Sequence, residues 1–322
     1  TEMTNGMDRI TGDYNEFWAG RDYLNDMEPM KAALLMSHGF NDWNVMPEHS
    51  YRIYKAAKEK GLPTQIYYHQ NGHGGPPPMT MMNRWFTRYL HGINNGVEND
   101  AKAWIVREND KRDEPTAYKD YPNPDASDVT LFLNPGAPLS GKLTTIKEKN
   151  LGKETLVDDY NFSGEDLAKA TSSVNRLLFV TPTLKEDIHI SGIPNITIKL
   201  ASSKPAANLS VWLVSLPWND KSDAKITDNI ITRGWADPQN YKSLTKSEPL
   251  KIGKFYKLSF DLIPDDQIIP KGQQIGLMIF SSDSQFTLLP NPGTELTVDL
   301  NKTSISLPIV GGEDAYNKSV KQ

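Results

Sequence analysis

The stretch AALLMSHGFNDWNV, residues 32–45, begins the part of the sequence that decides the fold, and QIYYHQNGHGG, residues 65–75, completes it. Each contains a short apolar run followed by a polar, glycine-containing loop. A short apolar run that ends at Gly is typical of a strand buried in a parallel sheet. Between the two, residues 47–61 predict a helix, with Pro47 at its start and Gly61 at its end. The stretch therefore predicts strand, loop, helix, strand and loop.

A second helix is predicted after three consecutive prolines, residues 76–78, which would stop any strand. Its apolar residues recur at the i, i+3, i+4, i+7 spacing of a buried helix face. They are Met79, Met82, Trp85, Phe86, Tyr89, Leu90 and Ile93. We expect this helix to pack on the core and to end near residues 94–96. Because strands and helices alternate from residue 31 to residue 96, this part is predicted to be an α/β sheet.

Beyond residue 99 the pattern changes to short strands separated by Pro, Gly, Asn and Asp. Period-two alternation with frequent turns is typical of a two-sheet β-sandwich, and we expect a jelly roll. The predicted strands are 103–106, 129–133, 176–180, 188–190, 196–200, 209–214, 256–262, 274–280 and 296–300. Residues 221–241 are predicted to be a long connection, and the residues after 312 a frayed tail. The predicted domains are therefore residues 1–99 and residues 100–322.

The composition of the 322 residues limits the classes of function. A net charge of −5 gives no basic surface for nucleic acid, and no apolar run approaches the roughly 20 residues of a membrane span. The absence of cysteine excludes disulfides, cysteine zinc ligands and a cysteine nucleophile. No group of His, Asp and Glu has the spacing of a metal site. We therefore expect no cofactor and no metal, and neither nucleic acid nor a membrane as partner.

Asp42 and His73 are the candidate catalytic residues, because each lies in the loop that follows one of the two predicted strands. A carboxylate there can accept the Nδ1–H of a histidine, which fixes the imidazole tautomer and stabilises the imidazolium formed in acyl transfer. Glycines on both sides of His73 leave its ring uncovered, as suits a general base. Asp42 alone would favour a helix N-cap or a turn, and the histidine loop after the next strand shifts the interpretation to a catalytic acid. His69 and His38, at the strand ends, are expected to be structural.

A nucleophile is missing from this arrangement. The sequence contains no Gly-x-Ser-x-Gly motif, and Ser140, Ser163 and Ser191 lie in the predicted sandwich without the strand–turn–helix context of a nucleophile elbow. Ser37 is expected to be buried in its strand. An α/β-hydrolase supplies its triad in the order Ser, Asp, His, so the serine is expected upstream of Thr1. The chain is therefore predicted to be a C-terminal fragment.

Residues 37–45 and 72–74, with supporting matches at 14–24, 121–125 and 180–192, carry a resemblance to a known family. On these residues the chain resembles the C-terminal part of the bacterial X-prolyl dipeptidyl aminopeptidases, serine peptidases of the α/β-hydrolase superfamily. The resemblance covers almost the whole chain. It implies the C-terminal portion of an α/β-hydrolase domain followed by a jelly-roll β-sandwich.

The resemblance also implies roles for individual residues. Asp42 would be the acid and His73 the base of a Ser-Asp-His triad. Asn44 would anchor the carbonyl of the second substrate residue, and Val45 would line the proline pocket. The implied reaction releases X-Pro dipeptides from the N-termini of proline-containing peptides. A cytoplasmic location and a homodimer are further expectations, and the chain alone, without the serine, is expected to be inactive.

Two other functions stay open at this point. A related α/β-hydrolase would act on esters or acyl amides, as the cocaine-esterase relatives do, although Asn44 and Val45 favour a peptidase. The isolated sandwich would be a binding module if exposed tryptophans contacted a carbohydrate. Substrate profiling separates the first alternative, and a glycan array separates the second.

Overall fold

The computed structural model describes residues 1–108, 110–220 and 229–321. Its helices are α1 (Glu2–Gly6), α2 (Glu16–Ala19), α3 (Glu48–Glu59), α4 (Met79–Tyr89), α5 (Gly164–Lys169) and α6 (Gly312–Val320). Short 3-10 helices span Tyr23–Asp26, Val97–Asn99, Pro238–Asn240 and Leu300–Lys302. The first sheet contains β1 (Leu34–Gly39), β2 (Thr64–His69), β3 (Ala103–Ile105) and β4 (Thr116–Tyr118).

A second, larger sheet system holds the remaining strands. They are β5 (Ala126–Asn134), β6 (Gly141–Thr144), β7 (Lys153–Val157), β8 (Arg176–Val180), β9 (Ile188–Gly192), β10 (Asn195–Ser202), β11 (Leu209–Leu216), β12 (Ile230–Ala236), β13 (Tyr256–Asp261), β14 (Asp265–Ile269), β15 (Gln274–Phe280), β16 (Glu295–Asp299) and β17 (Ser304–Val310). The chain therefore combines a small α/β layer with a β-sandwich.

The first sheet brings the two predicted loops together. β1 and β2 are parallel neighbours connected through α3, with Leu34 opposite Thr64 and Gly39 opposite His69. Because the strands end in register, the loops that follow them leave the same edge of the sheet. β3 lies parallel to β2, and β4 lies antiparallel to β3.

Strand β1 is less buried than the sequence suggests. It was expected to be covered on both faces, but it is only half-buried from Leu34 to His38. It forms the edge of the described sheet, with β2 as its one neighbour there. β2 has a strand on each side and is buried at all six positions.

Helix α4 differs from its prediction in length and in exposure. It ends at Tyr89 rather than near residue 94, and of its predicted core residues only Trp85 is fully buried. No element of the described chain covers the exposed side chains of Met79, Phe86, Leu90 and Ile93. The spacing predicted the helix correctly, whereas the prediction that this whole face packs on the core is wrong at Met79, Phe86, Leu90 and Ile93.

The β-sandwich contains thirteen strands of the described chain, and their pairs are antiparallel except for β6 with β8. Strands β10 and β17 bury alternate side chains in the main core. Strands β11 and β15 are buried on both faces, because α5 covers their outer side. There Leu167 and Ala168 pack with Trp212, Met278 and Phe280.

Two sequence predictions in this part are wrong. The connection predicted for residues 221–241 contains a strand, because Ile230–Ala236 forms β12 beside β11. Residues 221–228 of that prediction lie outside the described residues. The tail predicted to fray after residue 312 is helix α6, since Tyr316 and Ser319 are buried. The domain boundary predicted at residues 99–100 stays a prediction, although β3 and β4 beyond it are paired into the first sheet.

A buried polar network joins the first sheet to the sandwich at Asp266 of β14. The Asp266 carboxylate accepts hydrogen bonds from Ser191 Oγ at 2.5 Å and Tyr118 Oη at 3.2 Å, and lies 3.0 Å from His189 Nε2. Its main-chain carbonyl accepts from Gln70 Nε2 at 2.9 Å. Since Gln70 directly follows β2, this network fixes the second loop against the sandwich.

The neighbouring Asp265 is also buried, in surroundings that disfavour its charged form. One of its side-chain oxygens has no hydrogen-bond partner among the described residues. Burial, together with the nearby carboxylates of Asp266 and Glu108, raises the pKa of Asp265 well above its ordinary value. The folded protein therefore favours the neutral acid at this position.

We expect Asp265→Asn to raise the free energy of unfolding at pH 7. The unfolded chain ionises Asp265 above pH ~4, whereas the folded protein keeps it neutral, so stability falls as pH rises from about 4 through the folded pKa. Asn removes this loss of stability. The loss amounts to about 1.4 kcal/mol for each unit by which the pKa is raised, and it accumulates only up to the pH at which stability is measured. Urea unfolding at pH 4 and pH 7 should show a gain only at the higher pH.

Asp266→Asn is the matched control. The Asp266 carboxylate accepts several hydrogen bonds, so its replacement should lower stability at pH 7 by about 1–3 kcal/mol. An Asp265→Asn protein no more stable than the wild type at pH 7 would contradict the buried neutral acid.

Candidate active site

The loops after β1 and β2 are joined by main-chain hydrogen bonds. The N–H of Phe40 donates to the His69 carbonyl at 2.8 Å, and the N–H of Asn41 donates to the Asn71 carbonyl at 3.3 Å. The side-chain amide of Asn41 also donates to the Gln70 carbonyl at 3.0 Å. These bonds continue the contact between the strands past their ends and hold the two loops side by side.

This close approach requires glycine at position 39. A Cβ on Gly39 would lie 2.1 Å from the Asn71 carbonyl oxygen and 2.6 Å from that of Gly72. Both are main-chain atoms, so the loops would have to separate to accept it. A Cβ on Gly72 would meet the Asn41 carbonyl at 3.4 Å, which is an ordinary contact.

Asp42 and His73 meet where the loops touch. Asp42 Oδ2 lies 2.8 Å from His73 Nδ1. Asp42 is 2 % exposed, whereas the His73 side chain is 64 % exposed. Because an ionised carboxylate can only accept, the neutral imidazole carries its proton on Nδ1 and its free electron pair on Nε2. In the described part of the chain Nε2 has no hydrogen-bond partner, so this nitrogen can act as a base.

The second carboxylate oxygen of Asp42 is held by its own loop. Oδ1 accepts the main-chain N–H groups of Asn44 at 3.1 Å and Val45 at 3.0 Å. Burial acts to raise the pKa of Asp42, but the Val45 N–H, the His73 imidazole, the Asn44 N–H and His38 together bring the pKa below its ordinary value. Asp42 is therefore ionised at neutral pH, as the stabilisation of an imidazolium requires.

A second histidine contacts the acid. His38 Nε2 lies 3.1 Å from Asp42 Oδ2 and 2.8 Å from the Val45 carbonyl oxygen, and its Nδ1 lies 2.8 Å from Ser50 Oγ. Nε2 carries a proton, because it faces two acceptors. His38 was expected to be structural, and its contact with the acid was not predicted from the sequence. The available signal was its place at the same strand end as Asp42.

His69 is buried away from solvent. Its Nδ1 accepts the main-chain N–H of Asn71 at 3.2 Å. Burial, together with the charge of Arg112, lowers the pKa of His69 to about 4. This ring is therefore neutral at physiological pH and structural in role, and His73 is the exposed imidazole of the pair.

Asn44 and Val45 lie directly after the acid. Their main-chain N–H groups bind Asp42. Both residues are exposed, and the exposed fraction of Val45 is 41 %. The structure thus leaves these two side chains uncovered beside the acid, and their role in substrate binding stays a prediction.

Three of the candidate serines are engaged elsewhere. Ser37 Oγ donates to the Gly75 carbonyl at 2.7 Å, Ser163 caps α5, and Ser191 donates to Asp266. Over residues 1–108, 110–220 and 229–321, no serine hydroxyl forms a hydrogen bond with His73. The described site therefore contains an acid and a base without a nucleophile in contact with them.

No three His, Cys, Asp or Glu side chains of the described ranges come together in a way that could hold a metal ion. In the same ranges no helix combines the length and the apolar character needed to cross a bilayer.

A parallel β-α-β unit followed by a β-sandwich is a hydrolase-like class of fold, and solved structures are similar to it. An aminopeptidase from a marine sediment archaeon, Thaumarchaeota archaeon, gives a TM-score of 0.72 at 16% identity, covering 95% of this chain and 61% of that one. An α-amino acid ester hydrolase gives 0.69 at 16% identity, covering 96% and 60%. A CocE/NonD family hydrolase from Staphylococcus aureus gives 0.70 at 14% identity, covering 96% and 59%. At these identities the likeness shows the fold alone.

Family models match both parts of the sequence. Residues 2–75 match the X-Pro dipeptidyl-peptidase model of the S15 family, and residues 95–320 match the X-Pro dipeptidyl-peptidase C-terminal non-catalytic domain. The chain belongs to the X-Pro dipeptidyl-peptidase family.

Relatives of known sequence agree with this placement. A protein of Rhodopirellula baltica with the provisional name Xaa-Pro dipeptidyl-peptidase is 60% identical over 311 residues, which cover 97% of this chain and 50% of the relative. A provisionally named Xaa-Pro dipeptidyl-peptidase of Bacillus anthracis is 36% identical over 317 residues, covering 96% and 50%. The Xaa-Pro dipeptidyl-peptidase of Lacticaseibacillus rhamnosus is 29% identical over 345 residues, covering 95% and 43%. The chain thus spans about half the length of the curated relatives it matches.

We expect Gly39→Ala to separate the two loops and to break the hydrogen bond between Asp42 and His73. The added methyl group overlaps main-chain carbonyls of the second loop, and such overpacking costs about 1–3 kcal/mol. Gly72→Ala is the matched control, because its methyl group has room. Thermal unfolding measures the stability of each variant.

Nitrogen-15 NMR of His73 measures the contact directly. The wild type and Gly72→Ala should show the neutral imidazole protonated at Nδ1, and Gly39→Ala should shift the proton toward Nε2. Equal stability and equal His73 spectra for the two alanine variants would contradict the close approach at Gly39.

Proposed function

We propose that this chain is the C-terminal part of a serine exopeptidase that releases X-Pro dipeptides from peptide N-termini. The observation that carries the proposal is the 2.8 Å contact between Asp42 Oδ2 and His73 Nδ1, with the Nε2 side of the imidazole open. Family membership supports a peptide substrate. The nucleophile serine is assigned to the segment that precedes Thr1 in a longer polypeptide. The greater length of the relatives supports this assignment.

The residues of this chain would act in acyl transfer as follows. His73 Nε2 takes the proton of the serine hydroxyl as the oxygen attacks the carbonyl carbon of the second substrate residue. The buried Asp42 carboxylate stabilises the resulting imidazolium through Nδ1–H. The imidazolium then gives its proton to the leaving amine as the C–N bond breaks. A water molecule, deprotonated by His73, hydrolyses the acyl-enzyme and regenerates the serine.

Asn44 and Val45 are proposed to bind the dipeptide. Their side chains are exposed and follow the acid by two and three positions. The Asn44 amide would donate a hydrogen bond to the carbonyl of the second substrate residue. The Val45 side chain would provide apolar contact for the proline ring.

The alternative reaction is hydrolysis of esters or acyl amides. It is supported by the fold shared with an α-amino acid ester hydrolase and a CocE/NonD family hydrolase. The same acid–histidine pair would serve either reaction, so the substrate separates the two proposals.

We expect His73→Gln in the longer polypeptide to lower the kcat for an Ala-Pro anilide by about 10⁴-fold or more, because a triad member acts as a unit with its partners. Anilide release measures this rate. His91→Gln is the matched control, since His91 is exposed beyond helix α4 and should retain full activity. Retained activity in His73→Gln would sink the assignment of the base.

The substrate arm of the same experiment compares an Ala-Pro anilide with an Ala-Ala anilide and a simple aryl ester. A preference for the proline anilide supports the exopeptidase. The exopeptidase proposal would be replaced by the alternative reaction if the polypeptide hydrolysed the ester but not the proline anilide, and if His73→Gln lost the ester hydrolysis.

We expect the 322-residue chain alone to be inactive and to resist labelling by a fluorophosphonate probe. No described serine contacts His73, so no hydroxyl is activated for attack on the probe. The longer polypeptide is the positive control and should be labelled at one serine. Labelling of this chain at a serine, located by peptide mass, would contradict the assignment of the nucleophile to the preceding segment.

Three finer parts of the sequence prediction remain proposals. The sandwich is proposed to be a jelly roll, supported by its antiparallel pairing, and an experimental map whose strands do not form two Greek keys would contradict it.

A homodimer is proposed for the longer polypeptide, and sedimentation at a monomer mass would exclude it. A cytoplasmic location is proposed, and cell fractionation tests it.

A further inference from the structure

A cationic side chain of the sandwich is stacked against the loop that carries the acid. The guanidinium carbon of Arg233 lies 4.2 Å from the ring centre of Trp43 and 4.3 Å from the ring centre of Trp212. It also lies 5.2 Å from the ring centre of Phe286. The guanidinium is therefore in cation–π contact with Trp43, from the acid loop, and with Trp212, from the sandwich.

The sandwich side of this stack is fixed. Trp212 and Arg233 are directly opposed residues of β11 and β12. The indole N–H groups of Trp212 and Trp235 donate to the same oxygen of the buried Asp283, at 3.0 and 3.2 Å. The orientation of these rings is thus set by strand pairing and by a shared acceptor, independently of the acid loop.

Arg233 occupies a costly position. It is 4 % exposed, and its Nε and Nη1 have no hydrogen-bond partner among the described residues. Burial lowers the pKa of Arg233 to about 10, so the group keeps its charge at neutral pH. A buried charge with unpaired donors is unfavourable unless another interaction offsets it. The nearby Asp283 carboxylate favours the charge of Arg233. The faces of the tryptophan rings add a second favourable interaction, because a planar guanidinium can stack on aromatic rings.

The stack is a direct contact between the acid loop and the sandwich. Trp43 directly follows Asp42 and precedes Asn44 and Val45, whose N–H groups hold Asp42 Oδ1. Trp43 therefore lies inside the turn that orients the carboxylate. The adjacent loop is attached to the same sandwich separately, through Gln70 and Asp266.

We propose that Arg233 is a positioning residue for the reaction of Asp42 and His73: its stack with Trp43 holds the acid loop so that Asp42 points at the imidazole. The proposal rests on the proposed function for its catalytic consequence. Its structural consequence, the orientation of Asp42, is measurable in this chain without catalysis.

The first experiment follows the tautomer of His73 by nitrogen-15 NMR in the 322-residue chain, at a pH where the imidazole is neutral. In the wild type the Asp42 contact should favour the Nδ1–H form. Arg233→Lys keeps the charge but loses the planar group that stacks on Trp43 and Trp212. We expect it to lower the ratio of Nδ1–H to Nε2–H by about tenfold or more. Trp43→Leu should do the same, and Trp43→Phe, which keeps an aromatic face, should restore most of the ratio.

Arg176→Lys is the matched control for loss of a buried arginine in the same sandwich. Arg176 is fully buried and donates to the main-chain carbonyls of Ala137, Leu139, Leu167 and Ala170. Its replacement should lower the thermal midpoint while leaving the His73 tautomer unchanged. An unchanged tautomer in Arg233→Lys and in Trp43→Leu, in chains shown to be folded by their sandwich amide spectra, would overturn the proposal.

The second experiment measures kcat and KM for the Ala-Pro anilide in the longer polypeptide. Arg233→Lys should lower kcat by about 10- to 100-fold, as misplacement of a catalytic group does, with a smaller change in KM. Wild-type kcat in a variant whose His73 tautomer has shifted would overturn the catalytic part. If the wild-type polypeptide does not hydrolyse the anilide, the proposed function fails, and the tautomer measurement still decides whether Arg233 orients the acid.

Discussion

The buried carboxylate of Asp42 is the group on which the rest of the site depends. Its Oδ1 accepts two main-chain N–H groups of its own loop, and its Oδ2 lies within hydrogen-bond distance of His73 and His38. A buried anion is stable only when such donors replace water. Because the donors come from both loops, the same contacts that stabilise the charge also fix the position of the exposed imidazole. Gly39 makes this arrangement possible by letting the loop main chains touch.

The molecule accommodates buried ionisable groups in three different ways. Asp42 remains charged because four donors surround it. Asp265 has no comparable donors and faces two other carboxylates, so burial favours its neutral form. Arg233 remains charged without hydrogen bonds on Nε and Nη1, since the Asp283 carboxylate lies nearby and aromatic rings face the guanidinium. In each case the surrounding groups, rather than burial alone, decide the charge state.

The sandwich contacts both loops that form the site. It contacts the acid loop through the stack of Trp43 on Arg233 and the histidine loop through the hydrogen bond of Gln70 to Asp266. Both contacts come from rigid strands or from residues packed directly on them. The family model that matches residues 95–320 describes this region as a non-catalytic domain, and such contacts give a non-catalytic domain a physical role.

The sequence by itself determined the β-α-β order, the strand-rich second half, and the contact between Asp42 and His73. These follow from local rules, since apolar runs, helix spacing and glycines specify elements, and parallel strands end at one edge. Only the tertiary structure decided that Met79 and Phe86 of α4 are exposed, that β12 lies in a stretch predicted to be a connection, and that α6 is ordered by Tyr316. It alone placed His38 on Asp42 and Arg233 on Trp43. Trp43 and Arg233 are far apart in sequence and His38 needs a folded turn to reach Asp42, so no local pattern encodes these contacts, which exist only after the chain has packed.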